Sequence, residues 1–193
     1  MGKMFSDVKN WIDDNGIDFL EEIGIKKGDF VLDFGCGEGH YTIPLAEVVG
    51  KRGIVYAIDK DAQVLTKLKK IIKEKRLKNI KLINENTEIP LENNSIDVVL
   101  CYDVIHYEDK QNRKKIYEKI YRVLKFTGFF SLYPKHHKKD YPLMELAQIE
   151  LEEVIGEVES MGFVLEKKLF KKCIHDDYYN KCCILNFKKK RRN

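Results

Sequence analysis

The sequence lacks any long hydrophobic run. No stretch of its 193 residues approaches the roughly 18 consecutive apolar residues that a membrane-spanning helix needs. Residues 1–7 also lack the apolar core of a secretory signal. We therefore expect a protein with neither a membrane span nor a secretory signal.

Cysteine is also sparse, and its count is odd. Five cysteines in a chain of this size do not suit a disulfide framework, so we expect a reducing compartment, the cytoplasm. Cys182 and Cys183 are adjacent in a predicted strand, where neighbouring side chains point to opposite faces.

The body of the chain has almost no excess charge. The formal net charge is +4, but five lysines and arginines in residues 188–193 contribute more than that, so the remainder carries −1. A nucleic-acid-binding domain usually has a basic face on the domain itself. The basic character of this sequence therefore belongs to a C-terminal tail, residues 188–193.

Apolar periodicity predicts strands that alternate with helices. The strands are predicted at residues 30–34, 53–58, 80–84, 96–102, 128–133, 163–170 and 182–187. The helices are predicted at residues 4–12, 18–23, 41–49, 61–75, 114–124 and 144–161. This alternation indicates a doubly wound, mostly parallel α/β sheet of seven strands. Too few residues separate the last two strands for a crossover, so we predict a hairpin and an antiparallel last strand.

The most informative stretch runs from Val31 to His40 and reads Val-Leu-Asp-Phe-Gly-Cys-Gly-Glu-Gly-His. Three glycines at alternate positions, Gly35, Gly37 and Gly39, separate the first strand from a helix. Glycine adopts positive φ and has no Cβ, so a ligand can lie directly against such a loop. The following helix start presents backbone N–H groups to it. The stretch therefore predicts a small-ligand cradle at the C-terminal end of the first strand.

Two acids accompany this glycine loop. Asp33 precedes Gly35 by two residues, and would brace the loop by accepting N–H bonds or meet a ligand ammonium. Asp59 ends the second strand, 20 residues beyond Gly39, where an acid can accept hydrogen bonds from both ribose hydroxyls. A helix cap or an exposed loop acid is the alternative for Asp59. A dinucleotide site is disfavoured, because His40 stands where the third glycine of G-x-G-x-x-G belongs.

The Val31–Gly39 stretch resembles motif I of the class I S-adenosylmethionine-dependent methyltransferases, and the likeness extends from Lys26 to about Lys190. Within that family the chain resembles most the quinone-biosynthesis-like branch of small-molecule enzymes. The resemblance implies a Rossmann-like methyltransferase fold over residues 25–187, capped at the cofactor site by an N-terminal helical segment, residues 1–24. It also implies S-adenosylmethionine as cofactor and in-line methyl transfer to a small-molecule acceptor. For Trp11 and Phe5 in that segment, plain packing on the sheet edge is the alternative to closing the site.

The resemblance further implies a set of cofactor contacts at the ends of four strands. They are Asp33, Gly35, Cys36, Gly37, Gly39, Tyr41, Asp59, Lys60, Asn86, Thr87, Cys101 and Tyr102. The glycines would hold the methionine part, Asp59 the ribose, and Asn86 with Thr87 the adenine. Asn86 departs from the acid that is frequent in the family, although an amide oxygen can also accept from an amino group. Glu85 or Glu88 could serve instead.

Acceptor contacts are expected from the loops that follow the fourth and fifth strands, at Tyr102, His106, Tyr107 and His136. His106 is the candidate general base, with a surface or capping histidine as the alternative. Methyl transfer from a sulfonium mainly requires alignment and exclusion of water, so no catalytic triad is needed.

Three alternatives stay open. An RNA-directed methyltransferase would use the basic tail and the lysines of residues 67–81, but the Asn-Pro-Pro-Tyr type of motif is absent after the fourth strand. A cofactor-binding protein without chemistry is the second. The third is a metal site, for which we predict no metal because the spacing matches no recurrent motif. Its ligands would be His136, His137, Cys173, His175, Asp176 and Asp177. The sequence leaves the oligomeric state open.

Overall fold

The computed structural model describes residues 7–85, 88–140 and 144–190. Its seven strands are β1 (Phe30–Phe34), β2 (Ile54–Asp59), β3 (Ile80–Asn84), β4 (Ile96–Tyr102), β5 (Leu124–Tyr133), β6 (Phe163–His175) and β7 (Tyr178–Lys189). The α-helices are α1 (Gly16–Ile23), α2 (Thr42–Val49), α3 (Ala62–Glu74), α4 (Lys110–Val123) and α5 (Leu151–Ser160). Short 3₁₀ helices cover Gly50–Arg52, Ile105–Tyr107 and Met144–Gln148.

The strands form one sheet in the order β3-β2-β1-β4-β5-β7-β6. β1 pairs in parallel with β2, β2 with β3, and β4 with β5, whereas β7 pairs antiparallel with β5. This confirms the predicted seven-stranded, mostly parallel α/β sheet with an antiparallel last strand. Among the described residues, no helix has both the length and the apolar content to cross a membrane.

The chain divides into two compact units. The first comprises residues 1–87 and 171–182, and so contains β1 to β3, α1 to α3 and the end of the β6–β7 hairpin. Part of its core packs around Leu68 of α3, with Cys36, Ile43 and Ala57. The Asp61 side chain caps α3 by accepting from the Gln63 N–H at 2.7 Å.

The second unit comprises residues 88–170 and 183–193. Within it, Arg113 of α4 and Glu157 of α5 form a buried two-bond ion pair, with both N–O distances 2.8 Å. A buried hydrogen-bond chain also crosses three strands, because the Tyr102 and Ser131 hydroxyls lie 2.7 Å apart and Ser131 donates to Asn186. These polar groups are satisfied in pairs, as buried polar groups must be.

Several element boundaries differ from the predicted ones. Residues 7–10 are helical and continue through a π-helical turn (Trp11–Asn15) into α1. The prediction of two separate helices is therefore wrong. α4 begins at Lys110 because the Asp109 side chain caps it, and it runs directly into β5 without the expected turn at Thr127–Gly128. The predicted helix 144–161 is a 3₁₀ helix followed by α5.

The C-terminal hairpin is longer than predicted. Its turn contains only Asp176 and Asp177, where we expected a loop over residues 171–181. β7 continues two residues past the predicted boundary of the basic tail, and there Lys188 pairs with Glu166 at 2.6 Å. Residues 191–193 of the tail lie outside the described residues.

The cysteine prediction needs a correction. Cys173 of β6 and Cys182 of β7 form a disulfide across the hairpin, with Cα atoms 5.9 Å apart. Cys36, Cys101 and Cys183 take no part in a disulfide. An odd cysteine count argues against a framework of bridges, but it carries no information about one pair that a hairpin brings together.

Candidate functional site

The glycine loop is tied to the end of β2. The N–H groups of Gly35 and Cys36 both donate to the Ile58 carbonyl at 2.9 Å. The Gly37 N–H donates to the Asp59 carboxylate at 2.8 Å. Gly35, Gly37 and Gly39 have φ values of 79°, 50° and 91°, in the region that favours glycine. The loop is therefore a fixed turn whose shape depends on residues without side chains.

The second and third glycines of the loop have different roles. A Cβ at Gly39 would overlap the Leu68 side chain of α3, so Gly39 allows the loop to pack on that helix. A Cβ at Gly37 would meet no atom within 4 Å. Gly37 therefore faces open space, and its backbone forms the floor of a cradle at the end of β1.

Asp59 lies beside this cradle and is held from two directions. One carboxylate oxygen accepts from Gly37, and the other accepts from the Asp61 N–H at 2.9 Å. Asp61, and not Asp59, caps α3, so the helix-cap alternative for Asp59 is wrong. Because a carboxylate oxygen can accept more than one hydrogen bond, Asp59 keeps the capacity to accept from ligand hydroxyls. Lys60 follows it and is exposed.

Asp33 is buried at the base of the loop. Its carboxylate accepts from the Thr42 hydroxyl at 2.5 Å, at the first residue of α2. Burial raises the pKa of Asp33 to about 6, the nearby Asp59 charge adds to the rise, and the Thr42 bond opposes it. The first predicted role of Asp33 was to accept hydrogen bonds from loop N–H groups. The structure shows a side-chain hydroxyl, that of Thr42, as a donor to it. The ligand-ammonium role stays a prediction.

Cys36 and Tyr41 are also buried. The Cys36 thiol lies 3.8 Å from the Gly37 carbonyl oxygen, and burial raises its pKa. The Tyr41 hydroxyl donates to the Ile174 carbonyl at 2.7 Å, so this ring faces the hairpin rather than the loop. Both residues can contact a ligand at the loop chiefly through their backbone.

Trp11 packs on the chain just after the glycine loop. Its indole N–H donates to the His40 carbonyl at 2.9 Å, and its ring centroid lies 5.3 Å from that of Tyr41. Trp11 is fully buried, which agrees with either interpretation, packing or closing the site. Phe5 and the predicted adenine contacts Asn86 and Thr87 lie outside the described residues.

The second unit gathers three of the four predicted acceptor residues. His106, in the 3₁₀ helix Ile105–Tyr107, has its ring 4.0 Å from that of Tyr107 and 4.7 Å from that of His136. His106 is 3% exposed, so the alternative of a surface histidine is wrong. Tyr102 differs, because its hydroxyl is bonded to Ser131 in the sheet interior. Cys101 before it is fully buried.

The loop after β5 is held closed by an ion pair. Lys135 is buried and its ammonium lies 2.7 Å from the Asp140 carboxylate. His136, between them in sequence, has a positive φ of 67°. Burial lowers the pKa of the next residue, His137. His136 thus contacts the His106 ring from a strained backbone position. The ion pair joins the residues on either side of it, Lys135 and Asp140.

The metal alternative loses one of its ligands. Cys173 is bonded to Cys182, so it offers no thiolate. Within residues 7–85, 88–140 and 144–190, no group of three or more histidine, cysteine or acidic side chains is arranged to hold a metal ion.

Sequence reasoning missed Thr42 and the end of the hairpin. Thr42 starts α2 directly after Tyr41, and its position at a helix start next to a buried acid was a signal available in the sequence. Ile174 contacts Tyr41 through its backbone carbonyl, 133 residues away along the chain. No residue type predicts such a contact, since every residue has a carbonyl.

Comparison with known proteins shows which family this sequence matches. Residues 25–182 match the family described as "Methyltransferase domain". The demethylmenaquinone methyltransferase of Geobacillus sp. (strain WCH70) is 34% identical over 113 residues, which are 58% of this chain and 47% of that protein. The enzyme of the same name from Geobacillus stearothermophilus is 37% identical over 83 residues, 42% of this chain and 36% of that protein. The chain thus spans about half or less of the curated relatives that it matches.

Solved structures agree on the fold. A SAM-dependent methyltransferase from Aquifex aeolicus superposes with a TM-score of 0.73 at 24% identity, over 94% of this chain and 96% of that one. A magnesium protoporphyrin IX methyltransferase from Synechocystis PCC 6803, solved with bound SAM, gives 0.68 at 18% identity, over 91% and 77%. The predicted Rossmann-like methyltransferase fold is confirmed.

The buried Asp33 makes stability depend on pH. Its folded-state pKa of about 6 lies above the ordinary 3.8, so the folded state binds this proton more tightly than the unfolded chain. Asp33 therefore contributes stability below about pH 4 that is lost as the pH rises through 6. Relative to Asp33→Asn, the unfolding free energy of the wild type should fall by about 2 kcal/mol between pH 4 and pH 7, as measured by urea unfolding.

Thr42→Val provides a second test of the same assignment. Removing the hydroxyl that lowers the Asp33 pKa should move the pH window of this loss upward. A wild-type curve parallel to that of Asp33→Asn at every pH would contradict the raised pKa.

Proposed function

Because this chain belongs to the methyltransferase-domain family, we propose that it is an S-adenosylmethionine-dependent methyltransferase acting on a small-molecule acceptor. One observation carries the cofactor part of the proposal. The Gly37 N–H bonds to the Asp59 carboxylate, so an open glycine cradle and an acid at the end of β2 are held side by side. This agrees with the resemblance drawn from residues 31–39.

The residues of the first unit fit this cofactor in three respects. Gly37 leaves open space where any other residue would place a Cβ. Asp59 can accept hydrogen bonds from a ribose diol. Asp33 is a buried carboxylate whose charge is poorly compensated, and a ligand ammonium would stabilise that charge. Asn86 and Thr87 stay the predicted adenine contacts, and Cys101 and Tyr102 stay predicted cofactor contacts.

The cofactor, when bound, supplies a methyl group already activated by the sulfonium. The protein therefore has to bind, orient and exclude water rather than activate the donor. Gly35 to Gly39 would orient the methionine part through backbone groups, and Asp59 would fix the nucleoside.

For the acceptor we propose a quinol-like aromatic ring. Support comes from the relatives named demethylmenaquinone methyltransferase. It also comes from the partly buried cluster of His106, Tyr107 and His136, whose rings can pack against a flat acceptor. His106 would take a proton from the acceptor as general base. A cytoplasmic location stays a prediction.

The cofactor assignment is tested by calorimetry with two ligands. S-adenosylhomocysteine should bind the purified protein at one site, and NAD should not, because His40 replaces the third glycine of a dinucleotide loop. Tighter binding of NAD would overturn the proposal.

Gly37→Ala tests the cradle. Both this change and Gly28→Ala place a methyl group at a positive φ with open space around it, so each should cost about 1 kcal/mol of stability. Only Gly37→Ala should weaken S-adenosylhomocysteine binding, by roughly tenfold or more. Equal affinities of the two variants, by calorimetry, would show that Gly37 does not face the cofactor.

His106→Asn tests the general base. With a naphthoquinol that lacks the ring methyl group as acceptor, kcat should fall by about a hundredfold or more, without loss of S-adenosylhomocysteine affinity. A histidine base acts only in its neutral form, so kcat of the wild type should rise with pH, and this rise should be absent in His106→Asn. His137→Asn is the matched control, a buried histidine of the neighbouring loop, and should retain both kcat and the pH profile. A normal kcat for His106→Asn would remove His106 from the chemistry.

A further inference from the structure

We propose that the end of the β6–β7 hairpin is a disulfide-braced clamp on the glycine loop, and that cofactor binding and the Cys173–Cys182 disulfide stabilise each other. The hairpin end is defined as residues 171–182, which belong to the same compact unit as the loop. The inference rests on the proposed function, because it assigns positioning residues to the same cofactor site.

The hairpin end contacts the two residues that directly follow the glycine loop. The Tyr41 hydroxyl donates to the Ile174 carbonyl at 2.7 Å, in a buried position. The His40 imidazole lies 3.8 Å from the Asp177 carboxylate in the hairpin turn. Since Gly39 precedes His40 and its backbone accepts from Ile43 in α2, movement of residues 40 and 41 would move the loop itself.

A second set of contacts ties the hairpin end to the N-terminal helices. Tyr179 accepts from the Asn15 amide at 2.7 Å, and its ring lies 6.2 Å from that of Trp11. Lys171 pairs with Glu22 of α1 at 2.6 Å. Trp11 in turn donates to the His40 carbonyl. Two segments distant in sequence, the N-terminal helices and the hairpin end, therefore meet on residues 40 and 41 and also contact each other.

The disulfide closes this arrangement from within the hairpin. Cys173 is adjacent to Ile174, whose carbonyl holds Tyr41, and it joins β6 to β7 at Cys182. Tyr178 at the tip is half exposed, so its ring contributes little to holding the tip in place. A covalent link that keeps the two strands together thus supports the position of Ile174 and of the Asp176–Asp177 turn.

Burial of both sulfur atoms links their chemistry to the clamp. Cys173 and Cys182 are at most 1% exposed, so a thiol reductant reaches them only when the hairpin end opens. A ligand that stabilises the closed clamp will therefore slow reduction. Reduction removes the link that supports the clamp, so the reduced protein will bind that ligand more weakly; by reciprocity the ligand will also favour the disulfide at equilibrium.

The reduction step balances with a dithiol as the reductant. A dithiothreitol thiolate attacks one sulfur, the Cys173–Cys182 bond breaks, and a mixed disulfide forms. The second thiol of the reductant then displaces the protein sulfur and closes a cyclic disulfide. Two electrons pass to the protein, and both cysteines end as thiols after proton uptake.

The chain contains a built-in reporter of this clamp. Trp11 is its one tryptophan, and it touches both Tyr41 and Tyr179. Opening of the hairpin end would admit water to the indole, so Trp11 emission should shift to longer wavelength.

The test uses the full chain, purified without reductant. Dithiothreitol is added with and without S-adenosylhomocysteine, and alkylation with mass spectrometry follows the thiols of Cys173 and Cys182. We expect the ligand to slow reduction several-fold and the reduced protein to bind it about tenfold more weakly. We also expect a red-shifted Trp11 emission after reduction. Cys183→Ser, which removes a free thiol next to the bridge, should match the wild type throughout.

Two variants separate the clamp from the bridge. Tyr41→Phe keeps the ring and the disulfide and removes only the bond to Ile174, so it should speed reduction and weaken S-adenosylhomocysteine binding. The double variant Cys173→Ser/Cys182→Ser should behave as the reduced wild type. If the bridge were merely structural, its removal would lower thermal stability, but its reduction rate would not depend on the ligand.

The outcomes distinguish the two proposals. Absence of S-adenosylhomocysteine binding in every form would overturn the proposed function and the coupling together. Equal binding by oxidised, reduced and Tyr41→Phe protein, with a reduction rate indifferent to the ligand, would overturn the clamp and leave the proposed function standing. Thiols at Cys173 and Cys182 that resist air or diamide oxidation would overturn the bridge.

Discussion

The site depends on one hydrogen bond between a backbone and a side chain, from the Gly37 N–H to the Asp59 carboxylate. It joins two elements that neither local propensity nor the sheet ladder would connect at that point. With it, the glycine loop has a defined conformation before any ligand arrives, and the acid is already oriented. Preorganisation of this kind reduces the ordering that binding would otherwise require.

Around that bond the loop is enclosed by layers of increasing sequence distance. Asp33 and Thr42 join the strand before the loop to the helix after it. Trp11 donates to the His40 carbonyl from the N-terminal side, and the Ile174 carbonyl accepts from the Tyr41 hydroxyl on the hairpin side. Each of these contacts includes a hydrogen bond to a backbone carbonyl or to a buried polar group. The hydrogen bonds fix the orientation of the packed groups, which apolar contact alone would not do.

The sequence predicted the sheet well because several of its strands carry strong local signals. β1, β3 and β4 were predicted to the residue, since each is an apolar run bounded by turn or polar residues. The start of α4 was missed because its first turn, from Lys110 to Arg113, offers no apolar periodicity. The hairpin end was missed for a related reason: its polar residues and few apolar ones show no alternating apolar face. In the site, Asp59 could be found from its strand-end position, whereas the Tyr41–Ile174 contact is set by tertiary packing alone.

The direct passage from α4 into β5 has a consequence for the acceptor loop. Val123 ends the helix and Leu124 begins the strand, so no loop separates the two elements. β5 leads in turn to the segment from Lys135 to Asp140, whose two ends are joined by an ion pair. The register of β5 shifts between its paired positions Leu124 and Phe129, so a displacement of α4 would be taken up there, and the position of His136 is insulated from it.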